Sequence, residues 1–370
     1  MRETAAERHD RLLALVRERG SARVSELATL LGVSPVTVRR DVEELAGRDL
    51  LDRVHGSVSW PRNGTEPAAA PTAAAGPGGG PVLGMLAPSA TYYFADVIRG
   101  AHEAAARAGA RLVLRVSDYR PEEDQARAEG LLGAGVEGLL LAPGWTRADD
   151  PAAYGDWITS MPVPTVLLER RPPDGSPLGG LDRVCSDHAH GVLLAVRHLV
   201  ALGHGAPLLM ARADSPTALA VRSGYASALG FMGMRPPQDV IESVPGQLSP
   251  EGFEKSVQEL RAAVASGTAA SALIHNDMDA IQVVQRLAEL GVRVPQDLAL
   301  IAYDDEVAAL ADIPLTAVAP PKREVGRRAT ELLVERLGRG PGGADADGPR
   351  RHLSLLPQLR IRSSCGGREA

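Results

Sequence analysis

The sequence predicts an α/β protein in which a small helical head with a β-hairpin precedes two lobes built on parallel sheets. Three observations predict it. The chain has 370 residues and is 44% hydrophobic, enough for two or three domains with their own cores. From Val82 onward, apolar strand-like runs alternate with amphipathic helical stretches over short connections. Before Trp60 the periodicity is helical and then closes in a short hairpin pattern.

The head divides into four elements. Leu12, Leu13, Leu15 and Val16 predict a first helix ending near Gly20. Val24, Leu27, Ala28 and Leu31 predict a second, with Ser25 and Glu26 at its start and Gly32 at its stop. A third follows after a tight turn. Ser34 is a good N-cap, because its hydroxyl can accept from an orphan backbone N–H. Pro35 falls at the first helical position, where its missing N–H costs nothing. Val38, Val42 and Leu45 recur at i, i+4 and i+7 and face a small core. Residues 50–58, with Gly56 near the tip, predict a hairpin, or wing.

Residues 61–81 are rich in Pro, Gly and Ala and can build no core, which predicts a flexible linker. Beyond it the expected strands are 82–87, 112–117, 138–142, 165–168, 208–211, 272–275 and 298–303. The expected helices are 95–108, 122–132, 189–202, 218–231, 250–266, 277–290 and 323–337. Such alternation predicts parallel sheets covered on both faces, with ligands outside the carboxyl ends of the strands. The division is therefore a head over 1–60, a linker over 61–81, a two-lobed domain over 82–365 and a tail over 366–370.

Charge and cysteine usage narrow the function classes. Net charge is −6, so the whole molecule is no polycation, and any nucleic-acid contact has to come from a local patch. Residues 1–60 hold ten Arg and ten Asp or Glu, but Arg39, Arg40, Arg53 and His55 are grouped in sequence. A head of this charge binds modestly as a single copy, which favours a dimer reading two half-sites. Cys185 and Cys365 are far apart, with no neighbouring ligand cluster, so neither a disulfide framework nor a Cys-rich metal site is expected. No apolar run reaches membrane-spanning length, and the charged N-terminal residues lack the apolar core of a signal peptide. The expected location is the cytoplasm, with no membrane partner.

Thr37 and Arg40 share one face of the third helix, with Arg39 beside them. A short helix with a polar, double-arginine N-terminal half can place side chains on base edges and phosphates. The whole stretch from Arg8 to Ser57 resembles the winged helix-turn-helix of DeoR-type bacterial regulators. The carrying residues are Val24-Ser25-Glu26-Leu27-Ala28, Leu31-Gly32-Val33-Ser34, Thr37-Val38-Arg39-Arg40-Asp41-Val42 and Leu51-Asp52-Arg53-Val54-His55-Gly56. The resemblance implies that Ser34, Thr37, Arg39 and Arg40 contact DNA, with Arg53 and His55 nearby on the wing. The alternative for Arg39 and Arg40 is a solvated helix face.

DeoR regulators usually carry a sugar-phosphate-sensing domain related to isomerases, and this chain departs from that. Residues 82–365 instead resemble the effector domain of lactose-repressor (LacI) type regulators, which is similar to periplasmic sugar-binding proteins. The carrying stretches include Phe94-Ala95-Asp96-Val97-Ile98-Arg99-Gly100, His275-Asn276-Asp277-Met278-Asp279-Ala280 and Ala302-Tyr303-Asp304-Asp305. The resemblance implies an effector held between two hinged lobes. It matches Tyr93 and Phe94 to an aromatic pair after the first strand, and Glu169-Arg170 to an acid–arginine pair after the fourth. Asn276 and Asp304 match polar residues at later strand ends. Carboxylates, Asn and Arg form directional hydrogen bonds to hydroxyls, and aromatic faces cover the apolar side of a sugar ring. The bland alternatives are helix-start packing for Tyr93 and Phe94, and turn capping for Asn276 and Asp304.

Departures matter as much. The family usually has Arg three residues before the Gly of a Gly-Tyr pair; here Val221 stands there and Arg222 is displaced by one. Arg222 either substitutes after a helix shift or makes no such contact. The Gln often found after the Leu-Thr-Thr-Val segment aligns with Pro320, and the family's linker helix is replaced by residues 61–81. Three patterns are read as decoys. Residues 133–138 fit GxGxxG but follow a helix and precede a strand, the reverse of a phosphate-binding context. Asp187-His188-Ala189-His190 has no second ligand cluster, and Asp304-Asp305-Glu306 has no nucleophile beside it.

The expectation is a DNA-binding transcription regulator, a repressor by resemblance, acting as a homodimer on operator DNA. A small polar effector, a carbohydrate, binds between the lobes. No catalytic residue, metal or cofactor is expected. The alternative is a cytoplasmic sugar receptor whose head docks on a protein partner.

Overall fold

The computed structural model describes residues 8–9, 11–13, 15–16, 21–31, 33, 38, 41–42, 45, 52–54, 57–59, 80–144, 156–172, 175–338 and 348–367. Residues 21–26, 29, 52–54 and 57–59 are described by their backbone alone. The chain divides into two compact units, Met1–Ala74 and Ala75–Ala370.

In the first unit, helical residues between 8 and 16 precede β1 (Ser21–Arg23) and α1 (Val24–Leu31). Residues 38, 41, 42 and 45 are helical. β2 (Asp52–Val54) and β3 (Ser57–Ser59) pair antiparallel in the expected wing, with Arg53 opposite Val58. β1, three residues long and without a readable period, joins the far side of β3. The core is Leu12, Val16, Leu27, Ala28, Leu31, Val38, Val42 and Leu45. Val38, Val42 and Leu45 thus occupy the face their spacing predicts. Each buried Leu or Val contributes about 1.5–3 kcal/mol before conformational entropy is subtracted. Polar contacts supplement it: Asp41 is buried against Arg8 and His9.

The second unit holds two lobes. In lobe 1, β4 (Val82–Ala87), β5 (Arg111–Val116), β6 (Gly138–Leu141), β7 (Thr165–Leu168), β8 (Asp182–Ser186) and β14 (His352–Leu355) form one parallel sheet. Their order is β14-β8-β7-β6-β4-β5. In lobe 2, β9 (Leu208–Ala211), β10 (Ile241–Glu242), β11 (Ser271–His275), β12 (Ala299–Tyr303), β13 (Thr316–Ala319) and β15 (Gln358–Arg360) run in the order β10-β9-β11-β12-β13-β15. Only β15 in that sheet is antiparallel to its neighbour.

Helices cover both sheets. α2 (Tyr93–Arg107) and α3 (Pro121–Gly133) belong to lobe 1. α4 (His188–Ala201), α5 (Pro216–Phe231), α6 (Pro250–Ala265) and α7 (Asp277–Glu289) belong to lobe 2. α8 (Lys322–Gly338) returns to lobe 1 and packs along α2. The seven strands and seven helices expected after Val82 are present within about two residues at each end, the usual scatter of element limits. β8, β10, β13, β14 and β15 are additional. They are short, or mix polar with apolar residues, and their pairing makes them strands.

The chain crosses between lobes three times, at β8 to α4, at β13 to α8, and at β14 to β15. Ends of strands from both sheets therefore meet at one cleft. Caps set where the helices begin: Ser215 accepts from the Ala218 N–H and Ser249 from the Gly252 N–H, each followed by a proline at the first position. The GxGxxG residues connect α3 to β6, helix before strand.

Candidate effector cleft

Lobe 1 contributes a closed polar cluster. Glu169 follows β7 and is buried. Its Oε1 accepts from the Tyr93 hydroxyl and from Ser186 Oγ, both at 2.8 Å, and its Oε2 accepts from the Ser186 N–H at 2.9 Å. Burial pushes the Tyr93 phenol well above its ordinary pKa, and the Glu169 charge pushes the same way. Tyr93 and Phe94 contact each other edge-to-face at 5.6 Å and lie in the lobe 1 core. Tyr93 and Phe94 thus pack within lobe 1, while Glu169 Oε2 also lies 3.8 Å from Nε2 of His188 on lobe 2.

Arg170 is different. It is buried; its Nε donates to the Pro143 carbonyl at 2.6 Å and its Nη1 to the Glu169 carbonyl at 2.9 Å. Its Nη2 is buried without a hydrogen-bond partner among the described residues. The guanidinium lies over the Phe94 ring, 5.8 Å from the centroid. Burial lowers its pKa, and the hydroxyl of Tyr119 and the Glu169 carboxylate oppose that.

Lobe 2 supplies the opposite wall. Asp304 follows β12 with a left-handed backbone at φ 92°, and only 3% of it is exposed. Burial raises its carboxyl pKa to about 6, against the lowering charge of Lys322. Its Oδ1 has no partner among the described residues. His275 ends β11 next to it, 3% exposed, with Nε2 3.9 Å from Asp304 Oδ2 and neither ring nitrogen hydrogen-bonded among the described residues. Burial pulls the His275 pKa down to about 4, so the ring is neutral at pH 7. Asp277 is fully engaged, its Oδ2 accepting from the N–H groups of Glu306, Val307 and Ala308 at 2.6, 2.7 and 3.0 Å.

Two side chains join the walls. The hydroxyl of Tyr92, before α2, donates to Asp277 Oδ1 and lies 3.3 Å from Asp304 Oδ2. Lys322, at the start of α8, donates to the Asp304 carbonyl and pairs with Glu306. Burial, then the charges of Asp304 and Asp277, drive the Tyr92 phenol far up, so it remains a donor. The three residues of the acidic run thus have separate settings: Asp304 in the cleft, Glu306 on Lys322, and Asp305 on Arg362 at 2.7 Å.

Asn276 caps α7, its side-chain oxygen accepting from the Asp279 N–H at 3.1 Å. Arg222 directs its Nε at the Arg212 carbonyl, 2.8 Å away, and its Nη2 at the Ala211 carbonyl. One residue of displacement turns a helical side chain by about 100°, and that rotation aims Arg222 at the end of β9. Asp187 caps α4 through the His190 N–H at 2.9 Å. Among the described residues no three metal-ligating side chains gather.

Of the residues expected at the DNA face, Ser34, Thr37, Arg39, Arg40 and His55 lie outside the described residues. Arg53 is placed by its backbone in β2. His275, Tyr92 and Tyr119 were absent from the sequence-based site. The signal for His275 was a polar residue closing the apolar run Ala272-Leu273-Ile274, at a strand's carboxyl end where ligands gather. Tyr92 had no such signal, because its partners are 185 and 212 residues away.

Comparison with known proteins finds matches to both units. Residues 8–63 match the DeoR-like helix-turn-helix domain family, and residues 196–365 match the periplasmic-binding-protein-like domain family. The HTH-type transcriptional repressor PurR of Aliivibrio fischeri (strain MJ11) is 26% identical over 286 residues, 76% of this chain and 80% of that protein. The ribose operon repressor of Escherichia coli (strain K12) is 28% identical over 291 residues, 76% of this chain and 81% of that protein. The lac repressor dimer bound to operator and the anti-inducer ONPF superposes with a TM-score of 0.61 at 23% identity, over 76% of this chain and 93% of that one. No described helix is long and apolar enough to cross a membrane. The chain therefore joins a DeoR-like helix-turn-helix domain to a periplasmic-binding-protein-like domain.

Proposed function

We propose that this chain is a transcriptional repressor that binds operator DNA through its N-terminal head and is controlled by a carbohydrate bound between the lobes of its second unit. One observation carries the reading: a DeoR-like helix-turn-helix precedes, in the same chain, a two-lobed domain whose cleft holds polar groups from both walls that have no partner among the described residues. Arg170 Nη2 on lobe 1 needs an acceptor, and Asp304 Oδ1 on lobe 2 offers one. A ligand hydroxyl can serve either, and a ligand touching both walls favours the closed lobes over open ones.

In this reading Ser34, Thr37, Arg39 and Arg40 contact the operator, with Arg53 and His55 on the wing. Tyr93, Phe94, Glu169, Arg170, Arg222, Asn276 and Asp304 shape the effector site, the first three by positioning Arg170. A cytoplasmic homodimer reads two half-sites, and effector binding changes the relation between its two heads. The relatives' names support a repressor, and that of the ribose operon repressor supports a sugar.

The test selects short DNA sites from a random pool with the full chain and measures binding by gel shift at fixed salt, with and without a panel of free sugars. Enriched sites, lost on Arg39→Ala with Arg40→Ala and released by one sugar, are expected. A chain that enriches no sequence overturns the DNA reading; one that no sugar affects overturns the carbohydrate reading.

A further inference from the structure

Neither ring nitrogen of His275 has a hydrogen-bond partner among the described residues. The other buried histidine of the cleft, His188, has its Nδ1 3.2 Å from the Tyr303 hydroxyl, and His9 in the head has Asp41. His275 is as buried as the core around it, packs its ring against Tyr303 at 5.8 Å, and leaves both nitrogens unpaired. A buried polar group without a partner costs about 1–3 kcal/mol, and a leucine of similar size would avoid that cost. Beside it, Asp304 leaves Oδ1 unpaired as well.

We propose that His275 is a ligand-contacting residue of the cleft, and that with the free carboxylate oxygen of Asp304 it holds two neighbouring hydroxyls of a carbohydrate. The inference rests on the reading of the cleft as a carbohydrate site. His275 Nε2 lies 3.9 Å from Asp304 Oδ2, the oxygen that Tyr92 approaches, which is too long for a hydrogen bond; the free Oδ1 belongs to the same carboxylate, so adjacent ligand groups can serve the ring and Oδ1. A neutral imidazole offers one donor and one acceptor, whereas the carboxylate needs a donor. Hydroxyls meet both demands. The charged groups around the ring are Asp279, Arg212, Asp214 and Asp277, with Arg212 paired to Asp214 at 2.6 Å, so the ring has both signs of charge near it and the neutral imidazole suits an uncharged hydroxyl. Tyr303, held between the two histidine rings at 5.8 and 5.9 Å, limits how far His275 can turn away.

The experiment titrates the full chain with free ribose and a panel of neutral mono- and disaccharides by calorimetry. For a sugar that binds, His275→Leu is expected to weaken binding at least about thirtyfold, while His275→Gln, which keeps a donor and an acceptor, stays within about tenfold of wild type. Deoxy analogues of that sugar complete a cycle. Removing the contacted hydroxyl costs the wild type about tenfold and costs His275→Leu nothing further. Without sugar, the melting temperature of His275→Leu is expected to hold or to rise by a few degrees. Equal affinity of wild type and His275→Leu shows the imidazole served by solvent and overturns the assignment. A fall in the ligand-free melting temperature beyond about 5 °C makes the residue structural and overturns it as well. A wild-type chain that binds no sugar overturns the carbohydrate reading itself, and this inference with it.

Discussion

The guanidinium of Arg8 clasps the carboxylate of Asp41, with Nη2 donating to Oδ1 at 2.8 Å and Nε to Oδ2 at 2.5 Å. His9 Nε2 lies 3.1 Å from the same Oδ1. Helical residues near the start of the head are thereby tied to the helical residues around Asp41, across a core in which eight buried side chains are described.

Asp41→Ala is therefore expected to lower the head's stability by about 1–3 kcal/mol, the value of hydrogen bonds to a charged group. Calorimetric scans of the full chain should show the head's transition move and that of the second unit stay. Hydrogen bonding to Arg8 holds the Asp41 carboxyl below its ordinary pKa. Its contribution is present at neutral pH and is lost as pH falls below the ordinary carboxylate value and through the folded one. Acid titration of the Asp41→Ala chain should lack that loss.

Gly100 on α2 and Gly326 on α8 let the two helices touch backbone to backbone. A Cβ on Gly100 would stand 1.9 Å from the Arg323 carbonyl oxygen, and one on Gly326 would stand 1.9 Å from that of Val97. Neither obstacle is a side chain that can swing away. Gly100→Ala and Gly326→Ala are each expected to cost about 3 kcal/mol or more, measured by urea unfolding. Gly138→Ala meets only the end of the Leu333 side chain at 2.8 Å and should cost less.

Arg336 on α8 and Asp182 on β8 form a buried bidentate pair, at 2.7 and 2.9 Å, with the Arg351 N–H also donating to Asp182 at 2.7 Å. Asp182→Ala would leave the buried guanidinium without its counter-charge, held among the described residues only by the Gly348 and Pro349 carbonyls, and is expected to cost about 3–5 kcal/mol. Asp182→Leu combined with Arg336→Met should recover much of that loss in the same unfolding assay, since no charge is then left unpaired.

The pH dependence of the cleft follows from two opposed groups. Asp304 titrates near 6 when folded, above its ordinary value of 3.8. Between those values the folded chain holds a proton that the unfolded chain has released, so stability falls as pH rises through the window. His275 titrates near 4 when folded, below its ordinary 6.5. There the unfolded chain holds the extra proton, and stability rises with pH from about 4 to 6.5. The two groups therefore act in opposite directions between about pH 4 and about pH 6. Asp304→Asn should make stability climb more steeply with pH than in the wild type, and His275→Leu should make it fall, each by up to about 1.4 kcal/mol per pH unit. Parallel pH profiles of the variants and the wild type would refute this balance.

Much of the fold was legible because its elements are set by local pattern. Alternating apolar runs and i, i+4, i+7 spacing located the strands and helices after Val82, and placed Val38, Val42 and Leu45 on the core face of the head. Short edges such as β1 and β15 were not legible, since three residues carry no readable period and their strand character comes from partners distant in the chain. The site was legible in its neighbourhoods more than in its roles. Glu169, Arg170, Asn276 and Asp304 all stand at carboxyl ends of strands, where a wound α/β sheet gathers ligands. Glu169 is spent on Tyr93 and Ser186, and Asn276 caps a helix.

By itself the sequence determined the kinds of parts this protein has: a helix-turn-helix head, a Pro/Gly/Ala-rich stretch, and a run of strands and helices wound into parallel sheets. Those follow from periodicity, capping residues and composition, which act over a few residues at a time. Only the tertiary structure decided which polar groups are spent and which are left over. Whether His275 finds a partner, whether Tyr92 reaches Asp277 across the cleft, and whether Arg222 turns toward β9 depend on three crossings between lobes that bring residues far apart in sequence within hydrogen-bonding distance.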